Sequence, residues 1–155
     1  MLTIVDACNT KKKNDPVPED GVLYRQTTDT GYVYAALTPH IVEAAGDAPH
    51  GYGRIRFNKL ALAALDANGR LPEDVVLPTG AIIVREVYSG ANGSLIGYAV
   101  MRKDPNNGYA NKGWLWAEFE ATGKSSYAVS QEGQRCINCH SHPEHRDMTR
   151  TFTLR

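Results

Sequence analysis

The hydrophobic and polar positions predict that the second half of the chain is rich in β-structure. Residues 81–88 and 95–102 are two runs of mainly β-branched and apolar side chains, and residues 114–121 alternate between two faces. Such runs, bounded by turn residues, are typical of neighbouring antiparallel strands. In the third run Trp114 and Trp116 share one face, where they could line a ligand crevice or pack in the core.

The dipeptide Asn92-Gly93 lies between the first two runs. It is favoured in two-residue type I′ turns, so we expect a β-hairpin here. Such a turn predicts a register that pairs Arg85 with Val100. Arg85 and Met101 would then lie on opposite faces of the sheet, and they could not both face one ligand.

The rest of the chain predicts a few helices. Residues 58–69 fit a helix that Asn58 caps, that presents one apolar stripe and that Asn68-Gly69 ends. A short helix is expected from about Ser130, and residues 148–154 are expected to form a closing strand or an extended tail. The fold class that follows is α+β, with an antiparallel sheet, a few helices and a C-terminal helix.

Length and composition fit one compact domain preceded by a tether. The chain has 155 residues, of which 42% are hydrophobic, with 17 basic and 17 acidic side chains. This balance gives no indication of a nucleic-acid partner, and no apolar run approaches the roughly 20 residues that cross a membrane. Residues 1–21 end in a segment rich in proline and charge, which predicts a flexible tether before a domain at residues 22–155.

Residues 136–140, Cys-Ile-Asn-Cys-His, have the spacing that attaches haem covalently. The thiols of Cys136 and Cys139 can each add to one vinyl group of the porphyrin, and His140 is then placed to bind the iron. The motif lies on the predicted C-terminal helix. It predicts one covalently attached haem c, with Cys136 and Cys139 as the cofactor-binding residues and His140 as the metal ligand.

Other interpretations of the motif stay open. Zinc is one of them, because His142 and His145 follow His140 closely, and cysteine and histidine are usual zinc ligands. Structural zinc sites normally take two ligands from a distant segment, and His40 and His50 do not form such a spaced pair. A redox dithiol or a disulfide is the remaining interpretation.

Covalent haem attachment also predicts a location, because exported apocytochromes receive their haem outside the cytoplasmic membrane. We therefore expect a periplasmic or other extracytoplasmic protein. Residues 1–7 are too short and too polar for a complete signal peptide, so the numbered chain is expected to start within or after a removed one. Ala7 before Cys8 matches the end of a lipoprotein signal, so Cys8 is either a lipid anchor or an unpaired thiol.

Several stretches combine into a family resemblance. They are residues 77–88 (Leu-Pro-Thr-Gly-Ala-Ile-Ile-Val-Arg-Glu-Val-Tyr), 97–101 (Gly-Tyr-Ala-Val-Met), 113–116 (Gly-Trp-Leu-Trp), 136–141 and an acidic and aromatic tail at 147–152. A β-rich body that ends in Cys-x-x-Cys-His resembles the cytochrome P-460 and cytochrome c′-beta family. The stretches cover about half of the chain, and only the haem motif is specific by itself.

The resemblance implies an antiparallel sheet, a homodimer and one haem whose iron is bound by His140 and open on its other side. Family members with a lysine cross-linked to the haem oxidise hydroxylamine, whereas the c′-beta branch binds nitric oxide or carbon monoxide. Arg85 stands at the position of that lysine. Because a guanidinium stays protonated it is a poor nucleophile, so we expect no cross-link.

Arg85 and two glutamates are the candidate pocket residues. Arg85 could pair with a haem propionate, a pocket carboxylate or an anionic ligand, or it could form an ordinary ion pair at the rim. Hydroxylamine-oxidising relatives need a pocket carboxylate. Glu144 and Glu118 are candidates for that role, although no motif assigns either of them.

Three functional hypotheses follow from these residues. In the first, an open iron site binds a small ligand such as nitric oxide, and in the second, the protein oxidises hydroxylamine or a related nitrogen compound. In the third, it is an electron carrier with Met101 as the second iron ligand and an unidentified redox partner. Met148 follows His140 too closely to reach the opposite side of a haem easily. His40 and His50 are conceivable ligands there, although a surface or capping role is more usual.

Overall fold

A seven-stranded antiparallel sheet dominates the part of the chain that the computed structural model describes, residues 15–44 and 49–150. In this part the strand order is β1-β3-β4-β5-β6-β7, and β2 also pairs with β3. Three helices and one 3₁₀ turn accompany the sheet, so the predicted α+β class with a C-terminal helix is confirmed. The elements are α1 (Pro18–Thr27), β1 (Val33–Tyr34), β2 (Val42–Glu43), β3 (Tyr52–Phe57), α2 (Lys59–Ala63), β4 (Ile82–Tyr88), β5 (Leu95–Lys103), β6 (Trp114–Glu120), β7 (Ser125–Tyr127), the 3₁₀ turn (Val129–Gln131) and α3 (Gln134–His140).

The three strands predicted from the apolar runs are confirmed as β4, β5 and β6. Their side chains alternate between two buried faces. One face packs with Ile55 and Phe57 of β3, and the other packs under Leu23 of α1. Trp114 and Trp116 lie on the first face, whereas Leu115 lies on the second, as the alternation predicts.

The β4–β5 register differs from the predicted one by one residue. Arg85 pairs with Ala99, and Ile83 pairs with Met101. The connection spans residues 89–94, where the amide of Gly93 donates to the carbonyl of Gly90, so the predicted two-residue Asn-Gly turn is wrong. A bulge at residues 87 and 88 accompanies the longer connection. Arg85 and Met101 therefore share one face of the sheet, because a one-residue shift reverses the facing of every side chain.

Helix α2 begins at the predicted cap but is shorter than predicted. The side chain of Asn58 accepts a hydrogen bond from the amide of Ala61 at 2.9 Å, which satisfies a free donor of the first turn. The helix ends at Ala63. Gly69 does have a positive φ of 70°, but it lies in a separate turn closed by hydrogen bonds between Asp66 and residues 68–70.

Helix α1 begins at Pro18, inside the segment 1–21 that the sequence predicted as a tether. Asp20 fixes its start, since one carboxylate oxygen accepts from the amide of Val17 at 2.7 Å and the other from the amide of Val129 at 2.9 Å. The first of these bonds closes the first turn, and the second ties the helix to the 3₁₀ turn. Residues 1–14 of the predicted tether, including Cys8, lie outside the described residues.

Residues 148–154 were expected to form a closing strand or an extended tail, and their described part, residues 148–150, belongs to a turn. Asp147 and Met148 have positive φ values of 45° and 65°, and Arg146 and Thr149 form an isolated bridge around them. Residues 151–155, including the predicted aromatic tail position Phe152, are not described. Within the described ranges, no helix is long and apolar enough to span a membrane.

Candidate functional site

A cavity of about 280 Å³ lies between helix α3 and the face of the sheet that carries Ile55, Met101 and Trp116. Its floor contains an apolar row of paired residues, Ile83, Met101 and Trp116. A second row beside it is Arg85, Ala99 and Glu118, in which a small side chain separates two charges. The sheet therefore offers a water-excluding surface bordered by a polar one.

Helix α3 is brought against the floor by a glycine. Gly133 caps the helix with a φ of 64°, and a Cβ atom at this position would overlap the indole ring of Trp116. The indole Nε1 donates to the carbonyl of Asn111 at 3.2 Å, and the Asn111 side chain donates to the carbonyl of Glu132 at 3.0 Å. These contacts fix the beginning of α3 to the sheet, and glycine is needed for both the approach and the backbone angle.

His140 is the last residue of α3, and it lines the cavity. Its Nδ1 lies 2.7 Å from the carbonyl oxygen of Met148. Because a carbonyl can only accept, Nδ1 carries the proton and the lone pair of Nε2 is available to a metal. Burial lowers the pKa of His140 to about 4, so the imidazole is neutral at physiological pH. Its ring meets that of Trp116 edge to face, with 4.9 Å between ring centres.

Both motif cysteines are free thiols that line the same cavity. Their separation of three residues on a helix places Cys136 and Cys139 on one face. Cys139 is exposed, whereas Cys136 is half-buried, and burial raises the pKa of the Cys136 thiol to about 12. The motif thus presents two thiols and one neutral imidazole to a single apolar space.

Arg85 reaches the cavity across β3. Its Nη2 donates to the carbonyl of Gly51 at 2.8 Å, and a Cβ on Gly53 would overlap the Arg85 side chain. The Nε atom is buried and has no hydrogen-bond partner among the described residues. Burial, followed by the charge of Arg150, lowers the pKa of Arg85, but a guanidinium still keeps its charge.

Of the two histidines considered as conceivable second iron ligands, His50 is a cavity residue. It lines the cavity near Arg85, and burial lowers its pKa to about 4, with a further lowering by Arg85. His40 is exposed and does not line the cavity. No local motif distinguishes the two histidines, because the position of His50 depends on the pairing of the following strand β3 with β4.

The two candidate carboxylates lie in different places. Glu118 lines the cavity and pairs with Arg135 at 2.9 Å. Glu144 is exposed beside His142 and His145, at 3.7 Å from each, and is not among the residues that line the cavity. Across residues 15–44 and 49–150, no three His, Cys, Asp or Glu side chains come together as a group that could hold a metal ion.

The residues present fit a covalently held haem. Two thiols on one helical face match its vinyl groups, and the neutral imidazole matches its iron. The apolar floor suits the porphyrin, and the guanidinium groups that line the cavity suit its propionates. These guanidinium groups belong to Arg85, Arg135 and Arg150.

The fold and the site together define a c-type haem protein. A family model described as Cytochrome P460 matches residues 24–151, which is most of the chain. The chain therefore belongs to the cytochrome P460 family, and membership implies haem c as the cofactor. No curated protein matches the chain.

Proposed function

We propose that this protein is a mono-haem c-type cytochrome that binds a small ligand, such as nitric oxide, on an open side of its iron. In this proposal the thiols of Cys136 and Cys139 each add across one vinyl group, which forms two thioether bonds. Bound haem supplies an iron centre that takes a diatomic ligand. The imidazole of His140 would bind this centre through Nε2, while Nδ1 keeps its proton and donates it to the carbonyl of Met148.

The observation that carries the proposal is a guanidinium in the same cavity as the candidate iron ligand. Arg85 lines the same cavity as His140. This guanidinium could donate a hydrogen bond to an acceptor atom of a bound ligand or to a haem propionate.

The apolar row of the floor argues against Met101 as a second iron ligand. Met101 is paired with Ile83 on one side and with Trp116 on the other, and it is only 7% exposed. We propose that its thioether packs in this floor and excludes water. Glu118 is already paired with Arg135, and residue 85 is arginine, so these residues favour ligand binding over hydroxylamine oxidation.

We also propose a cellular location, an oligomeric state and a lipid anchor for the protein. Thioether attachment takes place outside the cytoplasmic membrane, so we propose a periplasmic or other extracytoplasmic location. A homodimer and a lipid anchor at Cys8 accompany this proposal as predictions. Size measurement of the purified protein tests the first, and mass analysis of the N-terminal peptide tests the second.

The first experiment uses protein matured in a host that attaches haem. Intact mass should exceed the chain mass by one haem, and the ferric absorption spectrum should be high-spin. The ferrous form should bind carbon monoxide and nitric oxide. A mass without haem would remove the proposal, and a low-spin spectrum that resists carbon monoxide would replace it with the electron carrier. Steady hydroxylamine oxidation with an electron acceptor would replace it with the enzymatic alternative.

The second experiment tests the role of Arg85. In Arg85→Met, nitric oxide should dissociate from the ferrous protein roughly tenfold faster, because a hydrogen bond from a charged donor contributes about 1.5 kcal/mol or more. Arg102→Met is the matched control. Arg102 follows Met101 on β5, so it faces the other side of the sheet, where it pairs with Glu19 at 2.5 Å. Equal dissociation rates in the two variants would mean that Arg85 does not contact the ligand.

A further inference from the structure

The turn at Asp147 and Met148 has a backbone that non-glycine residues rarely adopt. Both residues have positive φ values, 45° and 65°. Two successive residues in this region are unfavourable unless surrounding contacts hold them, and such strain concentrates at functional sites. Part of the support is local, because the amide and the hydroxyl of Thr149 both donate to the carbonyl of Arg146, at 2.9 and 2.6 Å.

The rest of the support comes from a buried ion pair. The Nζ atom of Lys103 lies 2.6 Å from Oδ1 of Asp147, and the two side chains are only 9% and 8% exposed. The second carboxylate oxygen accepts from the amide of Leu77 at 2.9 Å. Lys103 ends strand β5, and its Nζ lies 4.8 Å from the ring centre of Trp114. The turn is therefore tied to the sheet through Asp147.

The same turn also holds the backbone carbonyl that accepts a hydrogen bond from the imidazole of His140. The residue after Asp147 is Met148, whose carbonyl oxygen accepts the Nδ1 proton at 2.7 Å. Since the carbonyl belongs to the backbone, its direction is set by the φ and ψ angles of the turn. Contacts that hold Asp147 therefore also hold the acceptor of His140.

We infer that Asp147 and Lys103 are positioning residues that set the strength of the hydrogen bond to His140. This inference rests on the proposed binding of haem iron by His140. A strong hydrogen bond from the far nitrogen of a metal-bound imidazole makes it a better electron donor, which favours the ferric state. A looser turn weakens the hydrogen bond between His140 and the carbonyl of Met148, and this shifts the ferric–ferrous equilibrium toward the ferrous state.

The test uses haem-loaded protein with Asp147→Asn. Asparagine keeps an oxygen for the Leu77 amide but removes the charge that pairs with Lys103. We expect the iron–histidine stretching frequency of the ferrous protein to fall in resonance Raman spectra. The ferric–ferrous equilibrium should shift about tenfold toward ferrous, which is about 59 mV for a one-electron couple. Asp147→Glu keeps the carboxylate and should return both values toward wild type.

Glu86→Gln is the matched control. Glu86 pairs with Arg56 at 3.0 Å with both side chains 8% exposed, so the pair is as buried as Lys103–Asp147. Glu86 alternates with Arg85 on β4 and faces away from the cavity. Its loss should lower the denaturation midpoint without changing the potential or the stretching frequency. This comparison separates positioning of His140 from a general loss of stability.

The possible results decide the inference. The inference is supported if the iron–histidine stretching frequency and the reduction potential both change in Asp147→Asn and neither changes in Glu86→Gln. Unchanged quantities in a haem-loaded Asp147→Asn, or equal changes in both variants, overturn it and leave the haem proposal intact. If the wild-type protein carries no haem after maturation in a competent host, the haem proposal itself is wrong. If Asp147→Asn is not recovered folded, Lys103→Met removes the same ion pair and carries the same expectation.

Discussion

The two faces of the sheet bury similar side chains but have different covers. On the face under α1, Leu23 is fully buried in a cluster that includes Val84 and Leu115. On the cavity face, helix α3 covers only part of the floor, and a cavity of about 280 Å³ remains beside Trp116. The same strands supply both faces. The covering elements therefore decide that one face stabilises the fold while the other is open to a cofactor.

The largest effect on this contrast is expected from truncating a buried side chain on the face under α1. Leu23→Ala removes a side chain with 0% exposure, and such truncations cost about 2–5 kcal/mol of unfolding free energy. We expect that loss in denaturant unfolding of the haem-loaded protein, with an unchanged absorption spectrum. Leu62→Ala is the control, because Leu62 is 37% exposed and its loss should cost less than about 0.5 kcal/mol. A spectral change in Leu23→Ala would mean that the two faces are not independent.

A second change tests how α3 covers the cavity face. Gly133→Ala introduces a Cβ that overlaps Trp116 at a residue with a φ of 64°. The left-handed backbone and the overlap together should cost about 1–3 kcal/mol, and the haem content per chain should fall because the motif helix shifts. Gly90→Ala is the matched control, since a Cβ at Gly90 would meet nothing within 4 Å. Full haem content in Gly133→Ala would show that the close approach of α3 is not needed.

The strands of both faces could be predicted because their signal is local. Residues 82–88, 95–103 and 114–120 carry long runs of β-branched or alternating side chains, and each run forms a strand wherever its partner lies. The Cys-x-x-Cys-His motif is equally local. Strands β1 and β2 have only two residues each, so pairing with β3 defines them, and no local pattern could indicate them.

Which sheet residues share the cavity with the haem motif could not be predicted from local patterns, because this depends on register. Asn92-Gly93 indicated a two-residue turn, but the connection is longer and includes a bulge, which moves Arg85 to the face of Met101. His50 enters the cavity through the pairing of β3, not through a motif. Helix α1 did carry local signals, namely Pro18 at its first position and Asp20 as a cap, but its proline and charge also fit a tether.

A third substitution tests whether Met101 packs in the floor of the cavity or binds the iron. Met101→Leu nearly preserves volume, so it should cost less than about 1.5 kcal/mol. Because we propose that Met101 packs in the floor and does not bind iron, the ferric and ferrous spectra should stay as in wild type. Conversion from a low-spin to a high-spin spectrum would instead identify Met101 as the second iron ligand. Both residues that share its row, Ile83 and Trp116, stay unchanged in this test.

The smallest effect is expected at the rim of the cavity, where an ion pair is far more exposed than the one that holds the turn. Arg135 and Glu118 lie 2.9 Å apart with side chains 61% and 25% exposed, against 9% and 8% for Lys103 and Asp147. Water screens such a pair, so Glu118→Gln should lower the unfolding free energy by only about 0.2–1 kcal/mol. The reduction potential should shift less than in Asp147→Asn, because among the described residues Glu118 forms no hydrogen bond or ion pair with the turn that holds His140. A larger shift in Glu118→Gln, measured by the same redox titration, would place control of the iron at the rim.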